Sequence, residues 1–212
     1  TVCATANAGS LNVAGTSGSI VSWEISTDGG LTWIPNGNTT ATENYLNLLD
    51  TTWYRVVVAS GVCGNDTSNV GTILVDPTTV PGITSMNDTV CAGTNMGTVY
   101  LNGQVGAIQN WEMSTDGGNN WIALATSADS VNYVNLSVTT MYRALVLSGS
   151  CVPAMYSTVD TITVNPVSVA GTISGSTSVC EGTGNGTLTL SGSTGTVVDW
   201  ESSTDGGLTW IS

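Results

Sequence analysis

Trp23-Glu24-Ile25-Ser26-Thr27-Asp28-Gly29-Gly30-Leu31-Thr32-Trp33 returns as Trp111-Glu112-Met113-Ser114-Thr115-Asp116-Gly117-Gly118-Asn119-Asn120-Trp121, and again as Trp200-Glu201-Ser202-Ser203-Thr204-Asp205-Gly206-Gly207-Leu208-Thr209-Trp210. Twenty residues before each leading tryptophan stands a Val-Cys pair: Val2-Cys3, Val90-Cys91 and Val179-Cys180. The period is therefore 88 residues and then 89. Further on, Tyr45-Leu46-Asn47-Leu48 matches Tyr133-Val134-Asn135-Leu136, and Thr51-Thr52-Trp53-Tyr54-Arg55 matches Thr139-Thr140-Met141-Tyr142-Arg143. A period of this length marks tandem structural units, each larger than a propeller blade of about 40–50 residues.

Within each unit the apolar residues alternate. Ser10 to Gly15, Thr98 to Gly103 and Thr187 to Gly192 read polar-apolar-polar, the signature of a strand with one face in a core. Ile20–Ile25, Leu31–Ile34, Tyr45–Leu49, Tyr54–Ala59 and Gly71–Val75 are further strand candidates, with a leading strand near Gly82–Ser85. About seven short strands, punctuated by turn residues every 8–12 positions, predict an all-β fold of tandem immunoglobulin-like sandwiches. The expected domains are 1–77 with its first strand missing, 78–166 complete, and 167–212 truncated. The short linkers carry Pro77, Pro81 and Pro166, which predicts a semi-rigid, rod-like array. The third copy stops at Ser212 and the first lacks a leading strand, as expected of a window cut from a longer array. No initiator Met or signal peptide is present.

Composition narrows the function. The chain has 212 residues, no His, and a formal charge of −13, with Arg55 and Arg143 its only basic side chains. Two arginines cannot neutralise a nucleic-acid backbone or hold an anionic lipid surface. No apolar run approaches the roughly 20 residues of a membrane-spanning helix.

Alternation puts Trp23 and Ile25 on one face with Glu24 opposite, and Tyr54, Val56 and Val58 on one face with Arg55 opposite. Neighbouring strands then pair Glu24 with Arg55, and Glu112 with Arg143, as structural struts. Cys3 and Cys63 are separated by 60 residues, as are Cys91 and Cys151. That equality predicts bridges inside each repeat, Cys3–Cys63 and Cys91–Cys151, with the partner of Cys180 outside the chain. Bridges imply an oxidising, extracellular setting. Without His or a C-x₂-C pair, zinc is disfavoured.

Residues 26–33 and 203–210 fit the Asp-box pattern S-x-D-x-G-x-T-W, while the second copy has Asn120 at the threonine place. Asp boxes occur in sialidases, but there the box braces a hairpin away from the active site. Asp28, Asp116 and Asp205 are read as turn-forming side chains: the carboxylate accepts turn N–H groups and glycine supplies positive φ. They recur singly, without the paired carboxylate that glycoside hydrolysis requires. No enzyme chemistry and no cofactor is expected. Calcium at the domain junctions, on Asp76 or Asp88, is a minor candidate, since no D-x-D-x-D-G loop is present.

The combination Val-Cys-x-Gly, Trp-Glu-x-Ser-x-Asp-Gly-Gly-x-x-Trp, Tyr-Arg and Ser-Gly-x-Cys resembles the immunoglobulin-like repeats of very large Bacteroidota surface proteins. Those proteins are cargo of the type IX secretion system and include gliding-motility adhesins. The resemblance spans essentially the whole chain. It implies an extracellular stalk or filament shaft that presents an adhesive tip, with neighbouring repeats as partners and no catalytic residues. In that phylum a D-[S/T]-hydrophobic motif is O-glycosylated. Asp88-Thr89-Val90, Asp129-Ser130-Val131 and Asp160-Thr161-Ile162 resemble it, which makes Thr89, Ser130 and Thr161 candidate glycan sites. The alternatives are a carbohydrate-binding array, a subunit of a laterally assembled sheath or fibre, and an accessory module of a glycan-degrading enzyme.

Overall fold

A computed structural model describes residues 1–85 and 87–212, which contain strands and turns and no helix. Repeat 2 shows the architecture in full. One sheet orders Ile83–Ser85, Met96–Asn102 and Ser130–Val134, all antiparallel. The facing sheet orders Asp88–Cys91, Asp160–Asn165, Thr140–Leu147, Ala107–Ser114 and Ile122–Leu124, with Met155–Tyr156 also pairing with Thr140–Leu147. Asp88–Cys91 runs parallel to Asp160–Asn165, and the other pairs are antiparallel. This is an immunoglobulin-like β-sandwich.

The alternation seen in the sequence decides which side chains meet between the sheets. Trp111, Val99, Val146 and Ile162 are fully buried, with Leu101 and Tyr142 nearly so. The Trp111 indole N–H donates to Ala128 O at 2.9 Å, so the largest core side chain carries no unpaired polar atom. Its loss should cost about 3–5 kcal/mol, the usual range for emptying an aromatic core site. Trp23 occupies the same place in repeat 1 and donates to Thr40 O at 2.9 Å.

Repeat 1 follows the same plan, with Ala8–Asn12 pairing with Thr42–Leu46, and Ser19–Ser26 lying between Ile34–Pro35 and Thr52–Ala59. A groove of about 610 Å³ in repeat 1 is lined by Leu11, Trp23, Tyr54 and Val56. In repeat 2, Ile83–Ser85 lies along Met96–Asn102, and Thr84 N–H donates to Thr158 Oγ1 at 2.8 Å. Repeat 3 contributes Thr172–Ser174 paired with Thr189–Ser191.

Several strand expectations shift. Leu31–Ile34 is not a strand up to Ile34, because the Asp28 turn occupies those residues; only Ile34–Pro35 pairs. The strand expected over Tyr45–Leu49 is Thr42–Leu46, ended by Asn47 in a left-handed conformation (φ 51°). A register shift between Ile20 and Ser22, repeated between Ile108 and Asn110, bends each of the long central strands. Packing fixes Gly97, where a Cβ would strike the ring of Tyr133, whose hydroxyl donates to Asp88 Oδ2 at 2.9 Å, and Gly9 in the same way against Tyr45.

Candidate functional site at the repeat junction

The cysteines overturn the expected pairing. Cys3 is bonded to Cys151, across 148 residues and from one repeat to the next, with the Cα atoms 4.7 Å apart. Neither Cys3–Cys63 nor Cys91–Cys151 is formed; Cys63, Cys91 and Cys180 are exposed thiols. The physical reason is where the strands place them. Val2–Cys3 runs parallel to Val75–Asp76, so Cys3 sits beside Asp76 at the end of repeat 1 from which the linker leaves. Cys151 sits on the loop that closes the opposite end of its own sandwich, the end facing repeat 1. Within a repeat the two cysteines occupy opposite ends.

Polar contacts surround the bridge. Asp76 Oδ2 accepts from the Ser150 N–H at 2.8 Å and from the Ser150 hydroxyl at 2.9 Å. These bonds hold the Asp76 carboxyl below its usual range. In the linker, Thr79 Oγ1 accepts from the Ser148 N–H at 3.0 Å and donates to Cys151 O at 3.2 Å. Gly149 lies between these anchors at φ 48°, and the Asp76 carboxylate fills the space a Cβ would need. Val80 and Val105 then pair in a two-way backbone bridge, at 3.1 and 2.9 Å, that fixes the end of the linker on repeat 2. Asp76, the sequence-level candidate for calcium, is thus engaged by Ser150. Asp88 is engaged by Tyr133.

Asn7 supports the bridge from behind. Its amide donates to Cys3 O at 2.7 Å and to Leu48 O at 2.9 Å, while its Oδ1 accepts from the Leu48 N–H at 2.9 Å. Asn95 repeats all three bonds around Cys91 O and Leu136, at 2.8, 2.8 and 2.9 Å. The sequence reading missed both, although each lies four residues after its cysteine.

The remaining predicted residues lie away from the junction. Glu24 faces Arg55 and Glu112 faces Arg143 in register across the sheet. Arg55 Nε is 2.6 Å from Glu24 Oε2, and an Arg143 terminal nitrogen is 2.7 Å from Glu112 Oε2. Each guanidinium also stacks on the closing tryptophan of the Asp box: Arg55 lies 4.2 Å from the Trp33 ring centre and Arg143 3.9 Å from Trp121. Arg143 adds Tyr156 at 3.8 Å.

In the box itself, Asp28 accepts from the Leu31 and Thr32 N–H groups at 3.0 Å and from the Ser26 and Thr32 hydroxyls. Asp205 makes the same set with Leu208, Thr209 and Ser203. In the second copy the Asn120 amide supplies the donor that threonine gives elsewhere, at 2.6 Å from Asp116. Thr32 and Thr209 hold Asp28 and Asp205 well below the carboxylate range, and Asn120 lowers Asp116 to about 2. Of the candidate glycan sites, Thr89 is exposed while Ser130 and Thr161 are half-buried.

A family described as a domain of unknown function, DUF8696, matches residues 1–77, 80–166 and 169–212. The chain belongs to that family. No curated protein sequence matches it. Similar solved structures include the N-terminal four Ig domains of Dscam1 isoform 1.9, at 12% identity and TM-score 0.45, covering 77% of this chain and 43% of that one. A marsupial T cell receptor gives 14% identity and TM-score 0.45, covering 84% and 76%. The FN1–FN3 domains of chicken CNTN1 give 15% and 0.37, covering 81% and 68%. The chain spans less than half the length of the Dscam1 fragment.

Proposed function

We propose that these DUF8696 repeats are shaft material: an extracellular stalk segment of a large cell-surface adhesin, of the type IX-secreted Bacteroidota kind that the sequence resembles. The observation that carries this reading is the Cys3–Cys151 bridge, which ties one repeat to the next rather than closing either on itself. A bond there closes neither sandwich on itself. It resists separation and bending of consecutive domains, which is what a load-bearing shaft requires. A stable disulfide also fits secretion to an oxidising compartment. The recurring carboxylates and arginines serve turns and cross-strand struts, as a structural repeat would use them. Thr89, itself exposed, is the best placed of the three glycan candidates; an intact mass of native protein equal to the bare polypeptide would remove that part of the reading.

The test of the function is a glycan array combined with sedimentation of the 212-residue chain. A shaft binds no glycan and sediments as an extended monomer. Selective glycan binding would instead make it a carbohydrate-binding array, and concentration-dependent assembly would make it a fibre subunit.

A further inference from the structure

We propose that the Cys3–Cys151 bond is one link of a series. In this series Cys91 takes the loop cysteine of a further copy of the repeat docked behind repeat 2, and Cys63 takes the opening cysteine of a copy docked before repeat 1. Both halves of the clasp exist in both repeats, and in each case one half is occupied while its twin is open. The opening half is the same around Cys3 and Cys91. Cys3 is in parallel register with Asp76, Cys91 with Asn165; Ala4 N–H donates to Asp76 O at 2.9 Å, Ala92 N–H to Asn165 O at 2.8 Å. Asn7 and Asn95 grip the two cysteine carbonyls alike. Cys3 is bonded, and Cys91 is exposed and free.

The loop half matches as well. Cys151 N–H donates to Ser148 O at 2.8 Å, and Cys63 N–H to Ser60 O at 3.0 Å, so the two turns have one geometry. Gly149 and Gly61 both take positive φ, 48° and 56°. A Cβ on Gly149 would strike Asp76 of the preceding repeat, whereas one on Gly61 would meet nothing. The space beside Gly61 is the seat that Asp76 fills beside Gly149. The linker after repeat 2 brings matching groups: Asn165 for Asp76, Ser168 for Thr79, and the Val169–Thr194 backbone bridge for Val80–Val105. The partner is thus a repeat of this same kind in the same chain.

Closing each link removes one proton and one electron from each of two thiols. The electron pair passes to a disulfide oxidant, such as oxidised glutathione, whose two sulfurs leave as thiols. The proposal rests on the shaft reading for its purpose, but the two fail separately. Glycan binding would overturn the shaft and leave the links intact.

The test adds a copy of residues 124–166 after Ser212, which extends repeat 3 to the length of repeat 2, and maps disulfides after equilibration in a glutathione redox buffer. The expected result joins Cys91 to the added copy of Cys151, keeps Cys3–Cys151, and leaves Cys63 and Cys180 open to alkylation. A Cys91 that remains a thiol, or that bonds Cys151 of its own repeat, overturns the proposal. A second measurement is independent of the extension: in the unextended native chain, Cys63 and Cys91 must both alkylate without denaturant. A bond from either to any cysteine of its own repeat overturns the proposal equally.

Discussion

Asp160 is the residue whose placement runs against ordinary rules. It is 2% exposed and both carboxylate oxygens lack a hydrogen-bond partner among the described residues. Burial pushes its pKa up, and the neighbouring charge of Asp88 adds to the rise. Because the folded value lies above the unfolded value of 3.8, the contribution of Asp160 to repeat 2 is fully present below that pH and is lost as pH rises through the folded pKa. Asp160→Ala should therefore raise stability at pH 7 by about 1–3 kcal/mol, the cost of an unsatisfied buried polar group, and flatten the pH dependence above 4. Urea titrations at several pH values measure both effects; a destabilised variant at pH 7 would contradict them. Repeat 1 has Gly71 at the matching position, pairing with Tyr54 as Asp160 pairs with Tyr142. In the sequence, Asp160-Thr161-Ile162 read as a surface glycan motif. Alternation along Asp160–Asn165 puts Asp160 on the buried face with Ile162, so the aspartate of that motif is not at the surface.

At the scale of the element, the Asp box, the tryptophan that closes it and the Glu–Arg strut form one unit on one sheet of repeat 1 and one of repeat 2. The guanidinium is both paired to a carboxylate and stacked flat on an indole, and the compact ammonium of lysine cannot hold both contacts in that planar geometry. Arg143→Lys should cost about 0.5–1 kcal/mol, the range for a partly exposed cation–π contact, and should change the fluorescence of the Trp121 side of repeat 2. A thermal melt unchanged by the substitution would mean that the stack contributes nothing. These pairs were legible in advance, because strand alternation and turn chemistry are local and each repeat supplies its own copy. The bulges at Ile20/Ser22 and Ile108/Asn110 were not, since a single inserted residue leaves the apolar pattern on either side intact.

Across the whole molecule, the sandwich fold could be read from the period and the alternation, but the cysteine partners could not. Cys3 to Cys63 equals Cys91 to Cys151 simply because the repeat is periodic, whichever cysteines bond. The partner is decided by which end of the sandwich each cysteine occupies, a property of topology rather than spacing. In the chain-entropy view a bridge over 148 residues restricts the open chain by about 5 kcal/mol, and its native role is to hold the junction closed. Gly149→Ala should open that junction, because the Asp76 carboxylate occupies the space the methyl needs. The Ser150 amide should then exchange with solvent faster than in the native chain. Gly61→Ala, with a similar φ and open space, serves as the control for backbone strain alone; equal effects of the two would contradict the packing account.

The most direct measurement uses the chain's single Asp-Pro bond, Asp76–Pro77, which mild acid cleaves and which lies in the linker between Cys3 and Cys151. After cleavage, a denaturing gel without reductant should still show one species of about the intact 21.6 kDa, which falls into two fragments only when reductant is added. Separation of the fragments without reductant would mean that Cys3 is not bonded to Cys151 and would contradict the account.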